Sequence, residues 1–411
     1  MARVERAMTA PRRLRLVASA ADPVRARGAD TRTQAATRRT LLALIGSTAF
    51  LVLGGLVMVL SASSVSAFAQ YGSSFLFFKR QVAYAVVGSG ALLLASRMRY
   101  QAWKRLSAPL LVIAMVLLAM VLLHPTAGVS AYGATRWIQL GPVTIQPSEI
   151  AKLGVVVFAA AILARKGRRL DELGHLALPL LPVIGIVCGL VFVQPDLGTT
   201  TILVGTTLLL LFVAGVRLRY LLAGTAAMVA TAMVALKPYQ WARITAFLHP
   251  EADPRNTGYQ LLQSLIALGS GGWFGVGLGA SRQKWMYVPN AHTDFIFSIL
   301  GEELGLIGEL VVLAAFATLI YAGIRIAVRA PDAFGRLLAA GIVSWFGLQA
   351  VVNLGAVTGL LPITGVPLPL LSYGGSSLVV SLAAVGILVN IARSPERSGR
   401  RSGTPPRGLA A

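Results

Sequence analysis

The chain alternates between long apolar runs and short polar segments. Runs of about 20 mostly apolar residues recur from Leu41 to Ile391, and a helix of about that length crosses a bilayer. The period-two alternation typical of membrane β-barrels is absent. We therefore predict an all-α polytopic membrane protein. The ten predicted transmembrane helices lie at roughly 41–64, 82–96, 106–124, 148–164, 175–193, 199–216, 220–236, 295–324, 337–357 and 373–392.

The polar segments divide the chain into a membrane domain and two tails. Residues 1–40 and 394–411 are Arg-rich, and we expect both tails to be disordered. The domain between them, residues 41–393, contains two long connections, at about 125–147 and about 237–294. The second is the largest and joins predicted helices 7 and 8. Long connections are usually functional, so both are places to look for a site.

The larger connection contains one regular pattern. Tyr259, Leu262, Leu265 and Ile266 fall at helical spacing. This predicts a short amphipathic helix lying at the membrane surface.

Composition supports the membrane assignment and gives an orientation. Hydrophobic residues make up 56% of the chain and charged residues 13%, whereas a soluble domain has about 25% charged residues. The net charge of +22 would suggest a nucleic-acid partner in a soluble protein. Here, 28 of the 37 Lys and Arg residues fall on one side if the N-terminus is cytoplasmic. We predict that both termini are cytoplasmic, that both long connections are outside, and that nucleic acid is not a partner.

Acidic residues are scarce, so those outside the predicted cytoplasmic segments need an explanation. Asp294 lies at the outer end of the eighth span, two residues after His292. One interpretation is a helix cap or first-turn acid favoured by the helix dipole. The other is a carboxylate at the membrane edge that acts as a general base. Glu302, Glu303 and Glu309 lie within the same span, and we expect them to face the bundle interior, protonated or paired.

A second group of charges lies near the start of the fourth span. Glu149 and Lys152 are three residues apart, so they share one face of a helix that starts near Pro147. They form either a structural ion pair or a cation, oriented by Glu149, that binds an anion. Arg136 lies upstream in the same outer connection.

Two further clusters are predicted at the same outer face. The turn Gln194–Gly198 places Asp196 as a cap of the next helix. The small residues from Ser372 to Ser377, at the start of the last span, allow close helix packing or present backbone N–H groups to an anion. These clusters and the outer cations would line one site for a substrate with a phosphate or diphosphate; the cations are Arg136, Lys152, Arg243, Arg255, Arg282 and Lys284.

Several other site classes are excluded. The sequence has one cysteine, Cys188, within an apolar span, so a disulfide within the chain is impossible and a metal–thiolate site is disfavoured. Zinc-ligand spacing, a P-loop and a dinucleotide fingerprint are absent.

Taken as a set, the outer-face motifs resemble the SEDS family of cell-wall glycosyltransferases over about residues 41–393. The segments Ser61–Ser64 and Gly277–His292 resemble its division-type branch, and the long Arg-rich N-terminal tail resembles actinobacterial members. The matching motifs are Arg136–Ile138, Gln146–Glu149 with Lys152, Gln194–Gly198, Gly258–Gln260 with Gln263 and Ser264, His292–Phe297, Gly301–Gly305 and Ser372–Ser376.

This resemblance implies ten helices and an enzyme that polymerises lipid II, an undecaprenyl-diphosphate-linked disaccharide-peptide, during septal cell-wall synthesis and cell division. It implies a plasma-membrane protein at the division septum. Its implied partners are a class B penicillin-binding protein transpeptidase and other divisome membrane proteins. The essential acid of the family maps onto Asp294, which is then the expected general base.

The remaining site residues follow from the same resemblance and location. Lys152, Arg136 and Arg243 are expected to offset the charge of a polyprenyl diphosphate leaving group. A divalent cation, Mg²⁺ or Mn²⁺, bridging the diphosphate to a carboxylate is the one candidate cofactor. The expected substrate-binding residues are Arg136, Glu149, Lys152, Arg243, Gln260, His292, Ser372 and Ser376.

Two other functions stay open at this point. A flippase or transporter of the same lipid-linked precursor is favoured by Glu302, Glu303 and Glu309, because transporters place ionisable groups near the bilayer midplane. A non-catalytic division scaffold would use its tails to recruit partners.

Overall fold

The computed structural model describes residues 23–123, 128–131, 134–140, 143–166, 173–235, 238–252 and 258–402, and these residues are mostly helical. The helices are α1 (Pro23–Tyr71), α2 (Leu76–Arg97), α3 (Tyr100–Leu123), α4 (Pro147–Lys166), α5 (Leu173–Val193), α6 (Leu197–Ala214), α7 (Leu218–Ala235), α8 (Pro238–Leu248), α9 (Tyr259–Gly271), α10 (Ile296–Val328), α11 (Ala333–Val357) and α12 (Gly375–Ser402). A 3₁₀ helix spans Pro250–Ala252.

The helices agree with the predicted spans. Each predicted span overlaps one of α1–α7 or α10–α12. Seven of the described helices are long and apolar enough to cross a membrane: α1, α3, α4, α6, α10, α11 and α12. The prediction of an all-α polytopic membrane protein is therefore confirmed.

Part of each predicted tail lies in a helix, whereas residues 1–22 and 403–411 lie outside the described residues. α1 already begins at Pro23, and α12 continues to Ser402. Ala and Arg are strong helix formers, and extending an existing helix is far easier than nucleating a new one. The polar residues that flank the spans therefore continue the helices beyond the apolar runs.

A small sheet occupies part of the first long connection. Its strands, β1 (Gly128–Ala131), β2 (Ala134–Leu140) and β3 (Val143–Ile145), pair antiparallel in the order β1-β2-β3. Ile138 of β2 is opposite Gly128 on one side and Ile145 on the other. The sequence pattern did not predict this sheet, because strands this short give little periodic signal. The sheet matters for the site because its strand β2 holds Arg136 at the edge of the helix bundle.

The second long connection contains α8, the 3₁₀ helix and α9. α9 confirms the predicted amphipathic helix, but its buried face differs from the expected one. Leu261, Ser264 and Ala267 are buried, whereas Leu265 and Ile266 are 39% and 51% exposed. α9 packs against α10 and α11, which accounts for the buried stripe.

α11 lies at the centre of the bundle and packs against α4, α6, α9 and α10. Its buried aromatic residues Trp345 and Phe346 contact each other, with ring centroids 5.0 Å apart. The segment that follows it, residues 358–374, is called here the α11–α12 loop. This loop meets the first turns of several neighbouring helices, and the predicted site residues lie around it.

Candidate functional site

The α11–α12 loop joins the helix starts around it. A methyl group in place of the Gly198 hydrogen, at the start of α6, would lie 2.7 Å from the carbonyl oxygen of Thr364. On the other side, Gln81 of α2 donates to the Ser372 carbonyl at 3.2 Å and accepts from the Gly374 N–H at 3.3 Å. Such close contacts fix the loop between α2 and α6.

Asp294 lies against this loop, immediately before α10. The N-cap of α10 is Phe295 and the helix begins at Ile296, so Asp294 lies just outside the predicted cap and first turn. Its backbone carbonyl accepts from the Asn353 Nδ2 at 2.8 Å, and the same nitrogen donates to the Val366 carbonyl at 2.8 Å. Asn353 is buried in α11 and therefore ties Asp294 to the loop.

The carboxylate of Asp294 is half-buried and faces Gly365. A methyl group at Gly365 would lie 3.5 Å from the Asp294 Oδ2, and the φ angle of Gly365, +71°, favours glycine. A side chain at this position would therefore contact the carboxylate.

His292 is held by aromatic rings rather than by charges. Its ring stacks on Phe77 of α2 at a centroid distance of 4.7 Å and meets the Tyr373 ring edge-on at 5.4 Å. The Tyr373 N–H donates to the His292 carbonyl at 3.0 Å. Burial lowers the pKa of His292 to about 4, so the ring is neutral at pH 7.

Glu149 and Lys152 form an ion pair of 2.9 Å at the start of α4, with side chains 1% and 2% exposed. The Lys152 ammonium also donates to the Gln349 Oε1 at 2.8 Å and lies 5.2 Å from the centroid of the Trp345 ring. Gln349 is held in turn by the Trp345 indole N–H and by the Pro367 carbonyl. The cation is therefore surrounded by protein groups on several sides.

Arg136 joins β2 to the turn between α5 and α6. Its guanidinium donates to the carbonyl oxygens of Gln194 and Pro195 and lies 3.9 Å from an Asp196 carboxylate oxygen. Asp196 caps α6 as predicted, accepting from the Thr199 N–H at 3.1 Å. The Arg136 side chain remains 20% exposed.

The two predicted serines have local partners. The Ser372 hydroxyl accepts from the Leu368 N–H at 2.8 Å and closes a turn within the α11–α12 loop. The Ser376 hydroxyl, in the first turn of α12, accepts from the Gln146 N–H at 3.1 Å. This second bond places the start of α12 beside the start of α4, where Glu149 and Lys152 lie.

The last two predicted residues lie in the larger connection. Gln260 is half-buried in the first turn of α9. Arg243 is part of α8, but its side chain lies outside the described residues.

The acids within α10 have polar partners at a break in that helix. Glu302 accepts from the Ser281 hydroxyl and from the Arg282 N–H, the latter at 2.8 Å. Glu303 accepts from the Ser61 hydroxyl at 2.6 Å and lies 3.5 Å from the Lys284 ammonium.

The break itself is at Gly305, whose φ angle is +65°. The N–H groups of Val276 and Gly277 donate to the carbonyls of Glu302 and Glu303 at 2.9 and 3.0 Å. Glu309, half-buried further along α10, contacts Gly301. The acids that suggested a transporter therefore bind the outer loop or pack within α10.

Sequence reasoning missed the polar residues that connect these groups. Gln349 and Asn353 are four residues apart in α11 and both are buried. Polar side chains at this spacing in a predicted span are a usable signal, because they must find partners inside the bundle. Phe77 and Gln81 give no comparable signal, since they lie at a span boundary where mixed composition is ordinary.

A metal ion held by a protein alone usually needs several ligands close together. No group of three or more His, Cys, Asp or Glu residues within the described ranges has the geometry to hold an ion. Mg²⁺ is usually bound by one or two carboxylates together with substrate phosphates. A lone carboxylate such as Asp294 matches this second kind of site.

The motifs that meet around the α11–α12 loop have counterparts in known proteins. Residues 41–397 match the family model FTSW_RODA_SPOVE, described as a cell cycle protein. Over 353 residues the chain is 45% identical to the probable peptidoglycan glycosyltransferase FtsW of Trichlorobacter lovleyi, covering 85% of this chain and 91% of that protein. Over 356 residues it is 44% identical to the stage V sporulation protein E of Bacillus subtilis, covering 86% and 96%.

Solved structures give the same result for the fold. A chain from a peptidoglycan synthase complex that coordinates polymerization and crosslinking superposes with a TM-score of 0.70 at 33% identity, covering 85% of this chain and 97% of that chain. The rod shape determining protein RodA of Thermus thermophilus superposes with a TM-score of 0.64 at 30% identity, covering 86% and 96%. Because the family match spans the whole membrane domain, the chain belongs to the FtsW/RodA/SpoVE family of cell cycle proteins.

Proposed function

We propose that this protein is a peptidoglycan glycosyltransferase that polymerises lipid II into glycan strands during septal cell-wall synthesis. The observation that carries the proposal is the position of Asp294, a half-buried carboxylate at the edge of the bundle beside the α11–α12 loop. The names of similar proteins support the reaction class, since the relative from Trichlorobacter lovleyi is called a probable peptidoglycan glycosyltransferase.

Asp294 is the general base in this mechanism. Its carboxylate accepts the proton of the 4-hydroxyl group of the acceptor sugar, and that oxygen attacks the anomeric carbon of the donor chain with inversion. The bond from the anomeric carbon to the diphosphate breaks, and polyprenyl diphosphate leaves with the electron pair. A general base must be held within hydrogen-bonding distance of the hydroxyl group, and the Asn353 bridge fixes the Asp294 backbone for this role.

Negative charge on the departing diphosphate needs stabilisation at the same edge. The first turns of α4, α6, α10 and α12 lie around the α11–α12 loop, and helix N-termini favour anions. Arg136 is partly exposed there, although two carbonyl oxygens and Asp196 already contact it. Lys152 and Glu149 are buried as a pair, so their expected contact with substrate remains a prediction.

His292 has a different role from a base or a cation. Because its pKa is near 4, it is neutral at pH 7 and adds no positive charge to the site. Its ring stacks on Phe77 and meets Tyr373 edge-on, and the three rings form an aromatic wall two residues before Asp294. We assign it to positioning the acceptor sugar.

A divalent cation fits this mechanism only together with substrate. Asp294 would help to hold an Mg²⁺ or Mn²⁺ ion that arrives with the substrate. Such an ion would supply charge neutralisation of the leaving group.

The arrangement in the membrane follows from charge and topology. We propose that α1–α7 and α10–α12 make ten crossings, with both termini in the cytoplasm and the site at the outer face of the septal membrane. Single cysteines at Ser73 and Asp332, in a Cys188→Ala background, test the orientation. A membrane-impermeant thiol reagent should label position 73 in intact cells and should label position 332 only after lysis; the reverse result would contradict the orientation.

We also propose a class B penicillin-binding protein as partner. One structural neighbour comes from a synthase complex that coordinates polymerization and crosslinking, which supports a transpeptidase beside this chain. Other divisome membrane proteins are expected partners as well.

The function is tested by glycan-strand formation from purified lipid II in detergent, with the transpeptidase co-purified. Asp294→Asn keeps the shape of the side chain but cannot accept the proton. We expect polymerisation to fall by about 10²–10⁴-fold, the usual contribution of a general base. The thermal unfolding midpoint should stay close to that of the unmodified protein.

Asp196→Asn is the matched control. This aspartate lies at the same face, but it acts as a helix cap, and Asn caps as well as Asp. We expect polymerisation to change far less than for Asp294→Asn. Equal losses in the two variants, or full activity of Asp294→Asn, would remove the base assignment.

The transporter alternative has lost the observation that favoured it. Glu302 and Glu303 bind the outer loop and Ser61, which is a structural use of both carboxylates. No other contact among the described residues favours transport over transfer.

A further inference from the structure

We propose that Arg80, in the second turn of α2, binds the diphosphate of the lipid-linked substrate. This inference rests on the proposed function and names a contact that neither the sequence motifs nor the similar proteins assign. The substrate brings a diphosphate whose charge must be neutralised. The two described cations expected to do this are already bound by protein groups.

Both of those cations, Lys152 and Arg136, are already bound by named protein groups. Lys152 is 2% exposed and contacts Glu149, Gln349 and Trp345. Arg136 donates to two carbonyl oxygens and faces Asp196. A diphosphate would have to displace these groups, so another cation at the same edge would bind it at lower cost.

One face of α2 lies against the site. Phe77 contacts the His292 ring, and Gln81, four residues later, bonds to the backbone of Ser372 and Gly374. Tyr84, a further turn along, packs on Gly375. On a helix, residues three and four apart share a face, so Arg80 lies on this same face, between Phe77 and Tyr84.

Arg80 is exposed at the rim of that face. Three residues earlier on the same face, the Phe77 ring meets the Tyr373 ring at a centroid distance of 5.2 Å. Tyr373 contacts the His292 ring, and its N–H donates to the His292 carbonyl. The face of α2 that carries Arg80 therefore lies against Tyr373 and His292, and His292 is two residues before Asp294. The Arg80 guanidinium lies at the exposed rim of this face, where a ligand can reach it.

The chemistry of this position suits a diphosphate. A guanidinium presents paired N–H donors that match two phosphate oxygens, which an ammonium cannot do. The first turns of a helix add a partial positive charge in the same direction. Bound there, the diphosphate would lie at the outer end of α2, with its polyprenyl chain free to extend along the membrane face.

The adjacent residue provides a matched control. Lys79 has the same charge and is also exposed, but it is turned by about 100° around the helix from Arg80. Substituting either residue removes one exposed cation and leaves the core intact. A general loss of surface charge would affect the two variants equally, whereas a specific site affects only Arg80.

The experiment measures polymerisation by Arg80→Ala, Arg80→Lys and Lys79→Ala in complex with the transpeptidase, and its inhibition by farnesyl diphosphate, with farnesol as the uncharged comparison. Farnesyl diphosphate carries the diphosphate and a short polyprenyl chain but no sugar or peptide. We expect Arg80→Ala to lower kcat/KM and to weaken inhibition by farnesyl diphosphate, each by about 10- to 100-fold, the range for a charge-assisted hydrogen bond. Arg80→Lys should recover part of the loss, and Lys79→Ala should match the unmodified protein.

The outcomes separate this proposal from the function on which it rests. If the unmodified complex polymerises lipid II and Arg80→Ala behaves like Lys79→Ala, the Arg80 site is wrong and the glycosyltransferase assignment stands. If Arg80→Ala polymerises poorly but farnesyl diphosphate inhibits it normally, the guanidinium binds another part of the substrate and the diphosphate assignment is overturned. If the unmodified complex makes no polymer, both proposals fail together.

Discussion

Glu149 and Asp294 are two carboxylates near the starts of α4 and α10, which both pack against α11, and the structure uses them differently. Glu149 lies inside the first turn of α4, is 1% exposed and is paired with Lys152 at 2.9 Å. Asp294 lies in the loop before α10, outside the helix, half-buried beside Gly365. The two carboxylates thus differ in burial and in their position relative to the helix.

The difference shows how a membrane protein separates stability from chemistry. A buried charge costs several kcal/mol unless it is paired, so the Glu149–Lys152 cluster is bound to its own partners. A group that reacts must reach the substrate, so Asp294 lies at the edge and is fixed by its backbone. We interpret the Glu149–Lys152 pair as part of the scaffold of the site and Asp294 as its reactive group.

The largest effect is expected from breaking the buried pair. Lys152→Met keeps the length of the side chain but leaves Glu149 buried without its cation. Removing one partner of a buried pair costs about 3–5 kcal/mol, so the thermal unfolding midpoint should fall sharply. The Glu149→Gln/Lys152→Met double variant replaces both charges and should regain most of the stability.

The double variant also decides between the two interpretations of Lys152. If it is stable and still polymerises lipid II, the pair is a structural element and the comparison with Asp294 stands. A stable double variant without activity would instead show that the ammonium serves the substrate, and the division between scaffold and reactive part would be lost.

A smaller effect is expected at His292, on the reactive side. Its pKa is about 4 in the folded protein, against about 6.5 for a free side chain. Between these values the unfolded chain binds more protons, so the stability present above about pH 6.5 is lost as the pH falls towards 4. His292→Phe, which preserves ring stacking on Phe77, should lose less of its thermal midpoint between pH 7 and pH 5 than the unmodified protein.

The control for this prediction is His249→Phe, because His249 follows α8 and is exposed. Its pH dependence should match that of the unmodified protein. If the thermal midpoint of His292→Phe fell between pH 7 and pH 5 as much as that of the unmodified protein, groups other than His292 would cause the loss of stability in acid.

Much of the fold could be predicted from the sequence because the bilayer imposes a simple rule on composition. Apolar runs of about 20 residues predicted helices that the structure contains, and turn chemistry predicted the Asp196 cap. The ends of α1 and α12 were missed because helices continue past the apolar runs. The sheet was missed because its strands are three to seven residues long.

The partners of the site charges could not be predicted. Lys152 and Gln349 are 197 residues apart in the chain, and their contact depends on how α4 packs on α11. No local pattern distinguishes an engaged cation from an open one. The sequence indicated which residue types meet at the outer face. Only the structure shows that Arg136 and Lys152 are bound by protein groups whereas Arg80 is exposed.

The break in α10 has a consequence for how this protein tolerates changes in length. Backbone hydrogen bonds join Gly272, Val276 and Gly277 to residues 302–306, so the outer loop supplies partners to a helix that is interrupted within the membrane domain. Asp294 is fixed at a second point by Asn353. Between these two points, Ser281 and Arg282 also bind Glu302, so residues 278–293 are held along their length as well as at both ends. A single residue inserted between residues 278 and 293 would therefore displace Asp294 or break these bonds.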